Sequence, residues 1–159
     1  MAKENIKAKK GFTIIEVVLV LAIAGLIFLM VFVALPALQR SQRDTQRRDD
    51  MARVATAITQ YQTNNDGNLP TSAASGASTV GTFVKNYLGG AEFKDPDGEY
   101  YNVLIQSSAP SAETAVSHKV YIVLKAKCNG ESVTTGQKQR HYAILYKLEG
   151  AGTYCADNQ

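Results

Sequence analysis

The chain has 159 residues, of which 45% are hydrophobic, a size that allows one domain with an appendage and excludes a large multidomain enzyme. Its formal charge of +3 does not indicate a nucleic-acid partner, because the excess lies within residues 1–11. Without that segment the chain keeps 13 of its 17 basic and 13 of its 14 acidic side chains. The rest of the chain is therefore formally neutral, and we predict no specific nucleic-acid partner.

An apolar segment follows the basic N-terminus. Residues 17–35 are 19 consecutive uncharged residues, VVLVLAIAGLIFLMVFVAL, and about 20 helical residues span a hydrocarbon core of roughly 30 Å. The segment is longer than the apolar part of an ordinary secretory signal, and no small-x-small cleavage pattern follows it. Lysines before it favour a cytoplasmic N-terminus with residues 37–159 outside, although arginines just beyond it weaken this signal. The sequence predicts a single-pass segment in the cytoplasmic membrane.

Glu16 is the only ionisable side chain from Phe12 to Leu35. A charged side chain at membrane depth costs about 2.5 to 3.5 kcal/mol on insertion scales, so an intramembrane acid is a functional candidate that needs a partner. The alternative is a stray glutamate near the interface, where it reaches water. The residues around Glu16 favour the first interpretation.

The stretch KKGFTIIEVV, residues 9–18, resembles the N-terminus of type IV prepilins and the related pseudopilins. The resemblance covers residues 7–36 and implies that a prepilin peptidase cleaves between Gly11 and Phe12 and that Phe12 is N-methylated. Cleavage would create an α-ammonium at Phe12, which could pair with Glu16 of the same chain or, as the resemblance implies, of an adjacent subunit, setting assembly register. No cofactor is implied.

Beyond the apolar segment, Pro36 is expected to kink or loosen the helix. Residues 39–50 contain no apolar side chain. This pattern indicates either a solvated helix or a charged zone that contacts neighbouring subunits or anionic phospholipid. As a helix this stretch has favourable i,i+4 pairs. These are Arg40 with Asp44, Asp44 with Arg48, and Asp49 with Arg53.

Helical periodicity returns in an apolar stripe that a globular head would cover. The stripe consists of Met51, Val54, Ala55, Ile58 and Tyr61. We predict one long helix from about Phe12 to about Thr63, ending where the sequence NNDGNLP begins. A small, polar loop at 71–81 and a short amphipathic helix over 80–88 follow.

The pattern of the last 60 residues predicts β-strands. Residues 100–106, 118–127 and 140–148 are rich in β-branched and aromatic side chains and are separated by turn signals. We predict a small antiparallel sheet covered by the amphipathic half of the long helix. The fold class is therefore α+β, a pilin fold.

The stretch DPDGEYY, residues 95–101, resembles a turn of major pseudopilins. Proline presets such a turn and glycine permits positive φ. Some relatives bind calcium near this region, so Asp95, Asp97 and Glu99 are weak calcium candidates, whereas a plain turn is the simpler interpretation.

The only cysteines, Cys128 and Cys155, predict one disulfide formed outside the cytoplasm, the alternative being two unrelated buried thiols. No catalytic motif is found, and neither His118 nor His141 sits in a metal-spaced pair. The sequence therefore predicts a building block that is processed and assembled, and no enzyme.

The sequence divides into a leader (1–11), a transmembrane or filament-core helix (12–36), an amphipathic half-helix (37–65) and a globular head (66–159). The resemblance implies that the chain is a type IV pilus subunit that becomes part of an extracellular pilus. The partners it implies are identical or homologous pilins, prepilin peptidase and an inner-membrane assembly machinery. One alternative is a pseudopilin of a type II secretion or DNA-uptake system. The other is a single-pass membrane-anchored binding domain that does not polymerise.

Overall fold

A computed structural model describes residues 11–71, 81–111, 114–150 and 152–158. Residues 1–10 of the predicted leader and residues 72–80 of the predicted loop lie outside these residues. The helices are α1 (Ile14–Asn64), α2 (Thr82–Tyr87) and a 3₁₀ turn (Gly90–Glu92). The strands are β1 (Asn102–Gln106), β2 (Lys119–Leu124), β3 (Ala126–Asn129), β4 (Ser132–Thr135), β5 (Tyr142–Lys147) and β6 (Thr153–Asp157). The α+β class and the long N-terminal helix are confirmed.

The chain forms two compact units, Met1–Gln39 and Arg40–Gln159. In the first unit the described residues are mainly the apolar part of α1, which is long and apolar enough to cross a membrane. The helix continues through Pro36. Since proline has no amide hydrogen, the turn at Pro36 lacks one bond of the helical ladder.

The second unit contains a four-stranded sheet in the order β1-β2-β5-β6. The pairs β2–β5 and β5–β6 are antiparallel, whereas β1 and β2 are parallel. The prediction of a wholly antiparallel sheet is therefore wrong for β1, and it omitted β6. Parallel neighbours need a crossover of about a dozen residues, and residues 107–118 provide one between β1 and β2.

The predicted strand at 118–127 is broken at Lys125, whose φ of +53° ends β2. The chain then enters a hairpin in which β3 and β4 pair antiparallel through Gly130 and Glu131. This hairpin forms a separate two-stranded sheet.

Both faces of the central sheet are covered within the second unit. On one face Val120 and Ile122 belong to the core that includes Met51, Val54 and Ile58 of α1. Alternating residues such as Tyr121 and Val123 pack on the other face, in a cluster with residues of the β3–β4 hairpin. Burial on both faces explains why β2 reads as an almost continuous apolar run. The predicted cover by the amphipathic half of α1 is confirmed.

Candidate functional site

The predicted cleavage site lies just before α1. Gly11, Phe12 and Thr13 are not helical, and the helix begins at Ile14. Phe12 is 89% exposed. Because the Gly11–Phe12 bond lies outside the helix, neither its carbonyl nor its amide is held in a helical hydrogen-bond ladder.

Glu16 forms a capping box with Thr13 at the start of α1. The Thr13 amide and hydroxyl donate to Glu16 Oε2 at 2.9 and 2.8 Å, and the Glu16 amide donates to Thr13 Oγ1 at 3.4 Å. A capping box satisfies backbone donors that the first helical turn leaves without partners. In the uncleaved chain Glu16 therefore has a local partner, and no described residue donates a hydrogen bond to its Oε1.

The apolar part of α1 is not covered by the described chain. Among the residues that the structure describes, every exposed large hydrophobic side chain except that of Val116 lies between Phe12 and Leu38. Soluble monomers rarely expose contiguous apolar patches larger than a few hundred Å². This surface therefore requires lipid or other apolar helices around it.

The second half of α1 carries a buried arginine. Arg47 is 4% exposed and donates two hydrogen bonds to Asp95, from Nη2 to Oδ1 at 2.7 Å and from Nε to Oδ2 at 2.9 Å. Tyr146 donates its hydroxyl to Asp95 Oδ2 at 2.5 Å. Bidentate pairs of this kind are stronger and more directional than single hydrogen bonds. They join α1 to the DPDGEYY turn and to β5.

A second loop, between β5 and β6, also contacts this arginine. Arg47 Nη1 donates to Asp44 Oδ1 at 3.0 Å and to Glu149 Oε2 at 3.1 Å. The Asp44 carboxylate accepts the amides of Glu149 and Gly150 at 2.9 and 2.8 Å. We call the set Asp44, Arg47, Asp95, Tyr146 and Glu149 the Arg47 network.

Hydrogen bonds within the Arg47 network stabilise the ionised forms of its carboxylates. Burial raises the pKa of Asp95, but hydrogen bonds from Arg47 and Tyr146 outweigh that effect, so the net pKa lies below its usual value. Hydrogen bonds from Arg43 and then Arg47 lower the pKa of Glu149 to about 2. Burial raises the pKa of the Tyr146 phenol, and its hydrogen bond to Asp95 raises it further.

Most residues of 39–50 are exposed, as expected for a solvated helix, but Asp44 and Arg47 are buried and depart from that expectation. None of the three predicted i,i+4 pairs is an ion pair in the part of the chain that the structure describes. The ion pairs within this helix are instead Arg47 with Asp44 and Arg53 with Asp50, both at i,i+3.

The calcium candidates belong to the same turn. Pro96 and Asp97 occupy its corner, the Gly98 amide donates to the Asp95 carbonyl at 2.8 Å, and Gly98 has a φ of +97°. Asp97 Oδ2 lies 2.6 Å from His118 Nε2, and both Asp95 oxygens accept hydrogen bonds from protein donors. The group with metal-ligand spacing is Asp95, Asp97 and His118, without Glu99. The predicted turn is confirmed, and calcium binding stays a prediction.

The predicted disulfide is present. Cys128 and Cys155 are bonded, with their Cα atoms 5.8 Å apart. The bond links β3 to β6 and therefore holds the β3–β4 hairpin to the edge of the four-stranded sheet.

Sequence reasoning missed the Arg47 network, although one signal for it exists. The buried positions Met51, Val54 and Ile58 continue backwards at the same three- and four-residue spacing through Arg47 and Asp44. A charged residue on the extension of an apolar stripe predicts a buried, paired charge. Glu149 and Tyr146 carry no comparable local signal.

The chain matches one known sequence family. Residues 6–32 match the prokaryotic N-terminal methylation motif. No curated protein and no solved structure matches the chain significantly. The matched residues include Gly11, Phe12, Thr13 and Glu16, the same residues that form the non-helical start and the capping box of α1. Residues 6–32 thus carry the class III signal peptide that is typical of type IV pilins and pseudopilins.

Proposed function

We propose that the chain is the structural subunit of a type IV pilus filament. It is inserted in the cytoplasmic membrane with its N-terminus in the cytoplasm, cleaved after Gly11 and N-methylated at Phe12, and then assembled at the cell surface through α1. The observation that carries the proposal is the uncovered apolar surface from Phe12 to Leu38, directly after the methylation motif's processing site. Cleavage at Gly11 leaves this surface on the product, and neighbouring helices replace lipid around it on assembly.

Glu16 sets the axial register of neighbouring subunits in this proposal. Thr13 donates to Oε2 and holds the carboxylate in place, so Oε1 can accept the Phe12 α-ammonium of an adjacent copy. A charge buried among apolar helices without its partner is costly, so a subunit added out of register is disfavoured.

N-terminal mass spectrometry of the membrane-extracted protein tests the processing step. We expect a chain that begins at Phe12 with one extra methyl group. A Gly11→Val variant, which places a branched side chain at the scissile bond, should retain Met1. Retention of Met1 in the wild-type chain would contradict the proposal and favour a single-pass membrane-anchored binding domain.

A second candidate is a pseudopilin of a type II secretion or DNA-uptake system. The Asp-Pro-x-Gly-x-x-Tyr turn at residues 95–101 favours it, because this turn resembles that of major pseudopilins. Electron microscopy with an antibody against the chain separates the two candidates. Long labelled surface filaments support the pilus subunit, and their absence from cells that process the chain supports the pseudopilin. In both cases the chain acts as a building block and not as an enzyme.

A further inference from the structure

Two adjoining cavities of about 480 and 420 Å³ lie beside the C-terminal end of α1. Both are lined by Gly67 and Arg140, which lie between them. We call the two cavities together the Arg140 trough. The larger one is also lined by Asn68, Leu69, Thr71, Leu124, Lys125 and Gln139. The smaller one is also lined by Thr59, Gln62, Thr63 and Asn158.

The backbone conformation positions Lys125 and Arg140, the two cationic residues of the trough. Lys125 is held in its left-handed turn because its amide donates to the His141 carbonyl at 2.7 Å and its carbonyl accepts the Gln137 amide at 2.8 Å. The Arg140 guanidinium lies over Gly67, where an added Cβ would be 2.7 Å from Cζ. Gly67 therefore permits the position of Arg140 and also supplies the positive φ of the turn.

The polar side chains of the larger cavity are largely without partners. In the described part of the chain no side-chain hydrogen bond is made by Asn68, Thr71, Lys125 or Gln139. Arg140 donates one long hydrogen bond, 3.4 Å, to the Asp66 carbonyl. None of the lining side chains of either cavity is acidic among the described residues, and Asp66, which precedes Gly67, is exposed. The trough thus presents unpaired positive charge in a concave site.

We infer that the Arg140 trough binds a carboxylate-bearing polysaccharide. Lys125 and Arg140 supply cations for sugar carboxylates, with Arg140 able to form a bidentate pair. The amides of Asn68 and Gln139 and the threonine hydroxyls match sugar hydroxyl groups as donors and acceptors. Leu124, which is half-buried, provides apolar surface for the C–H face of a sugar ring, whereas Leu69 is 9% exposed and belongs to the core.

The shape and the lining favour a glycan chain over a nucleic acid. The two cavities share Gly67 and Arg140 in their linings, so successive units of a polymer can lie along them, whereas one small anion would fill only part of the space. Binding of single-stranded nucleic acid relies on aromatic side chains that stack with bases, and no aromatic residue lines either cavity in the described residues. This inference does not depend on whether the chain forms a pilus.

Titration calorimetry with polygalacturonate tests the inference, using the full chain in a neutral detergent. Lys3, Lys7, Lys9 and Lys10 are replaced by glutamine in every sample, because a polyanion would otherwise bind the basic N-terminus. The test variant combines Lys125→Asn, which suits positive φ, with Arg140→Gln. Its control combines Lys85→Gln with Arg48→Gln, removing the same charges from exposed sites away from the trough.

We expect the test variant to bind polygalacturonate at least about tenfold more weakly, as loss of charge-assisted hydrogen bonds implies, while the control binds as the parent does. If the double variant fails to fold, Lys125→Asn alone should still weaken binding about threefold. The inference would be overturned if the parent did not bind polygalacturonate or if the control lost as much affinity as the test variant. It would also be overturned if the parent bound neutral dextran equally well, or bound duplex DNA more tightly through Lys125 and Arg140.

Discussion

Glu16 and Arg47 are both charged residues of α1, and their surroundings differ. Arg47 has hydrogen-bond partners from two distant loops, and Asp95 opposite it has donors on both oxygens. Among the described residues Glu16 has hydrogen bonds with Thr13 alone, three residues away, and lies in a surface of exposed apolar side chains. The chain therefore satisfies the buried charge of Arg47 by itself, whereas it leaves the apolar surface around Glu16 uncovered. Changes at the two sites should accordingly have separable effects, on folding in one case and on assembly in the other.

The largest effect is expected for Glu16→Ala, which should reduce filaments sheared from cells to an undetectable level. The reason is that the Phe12 α-ammonium then lacks its partner inside the helix bundle. Quantitative immunoblots of sheared and membrane fractions measure the effect, with membrane insertion and cleavage unchanged. Asp49→Ala, which removes an exposed acid from α1, is the matched control. Normal filament yield in the Glu16 variant would contradict the register proposal.

Asp95→Asn should affect folding and not assembly. It should destabilise the second unit by about 3 to 5 kcal/mol, since breaking a buried ion pair leaves Arg47 without its main partner. Urea unfolding of the full chain in detergent, followed by tyrosine near-ultraviolet circular dichroism, measures the change. Asp97→Asn is the control, because that side chain is 36% exposed and should lose less than about 1 kcal/mol. Equal losses in both variants would show that the buried pair has no special contribution.

Replacing both cysteines, Cys128→Ser with Cys155→Ser, should destabilise the second unit by about 3 to 4 kcal/mol in the chain-entropy model. The bond closes the segment between residues that are 27 apart in sequence. The same urea experiment measures the loss, and a reducing agent should affect the wild-type chain but not the double variant. A double variant as stable as the oxidised wild type would show that the disulfide does not stabilise the sheet.

Thr13→Ala should weaken the start of α1 by about 1 kcal/mol, because it removes the side chain that caps the helix. Exchange of the Glu16 amide with solvent in detergent micelles, measured by NMR, should then be roughly fivefold faster. Thr13→Ser keeps the hydroxyl and should exchange as the wild type does. Equal exchange in the alanine and serine variants would contradict the capping role.

The smallest effect is expected from lowering the pH, which should reduce the stability of the fold. The pKa of Glu149 falls from 4.5 to about 2 in the folded chain, so its ionised form stabilises the fold above pH 4.5, and this contribution is lost as the pH falls towards 2. Thermal unfolding between pH 2 and pH 7 should therefore show a lower midpoint at acid pH. Glu149→Gln should reduce the steepness of that fall, and an unchanged pH profile in this variant would contradict the assignment.

The sequence predicted the elements that local patterns determine. The 3.6-residue stripe through Met51, Val54 and Ile58 indicated the helix and its buried face, and the β-branched runs indicated β1, β2 and β5. The membrane-length helix and the disulfide are also confirmed. These predictions succeeded because each depends on neighbours within a few turns or on a unique pair of residues.

The remaining features depend on distant contacts. Alternation in β1 does not distinguish a parallel from an antiparallel neighbour, since both place side chains on alternating faces. The Asn129-Gly130 dipeptide is a hairpin signal that indicates β3 and β4 once β2 is known to end at Lys125. The buried stripe through Met51 and Val54 extends back to Arg47 and so indicates that this arginine is buried, but no local pattern identifies its partner Asp95, which lies 48 residues away.

The long sequence separations of the Arg47 network set an order of events during synthesis. Glu149 follows Arg47 by 102 residues. The guanidinium therefore gains its last carboxylate partner only after those residues have been made, and the buried face of α1 closes late. In the proposed function, the apolar part of α1 is long enough to enter the membrane without any contact from later residues. Anchoring would then precede folding of the second unit.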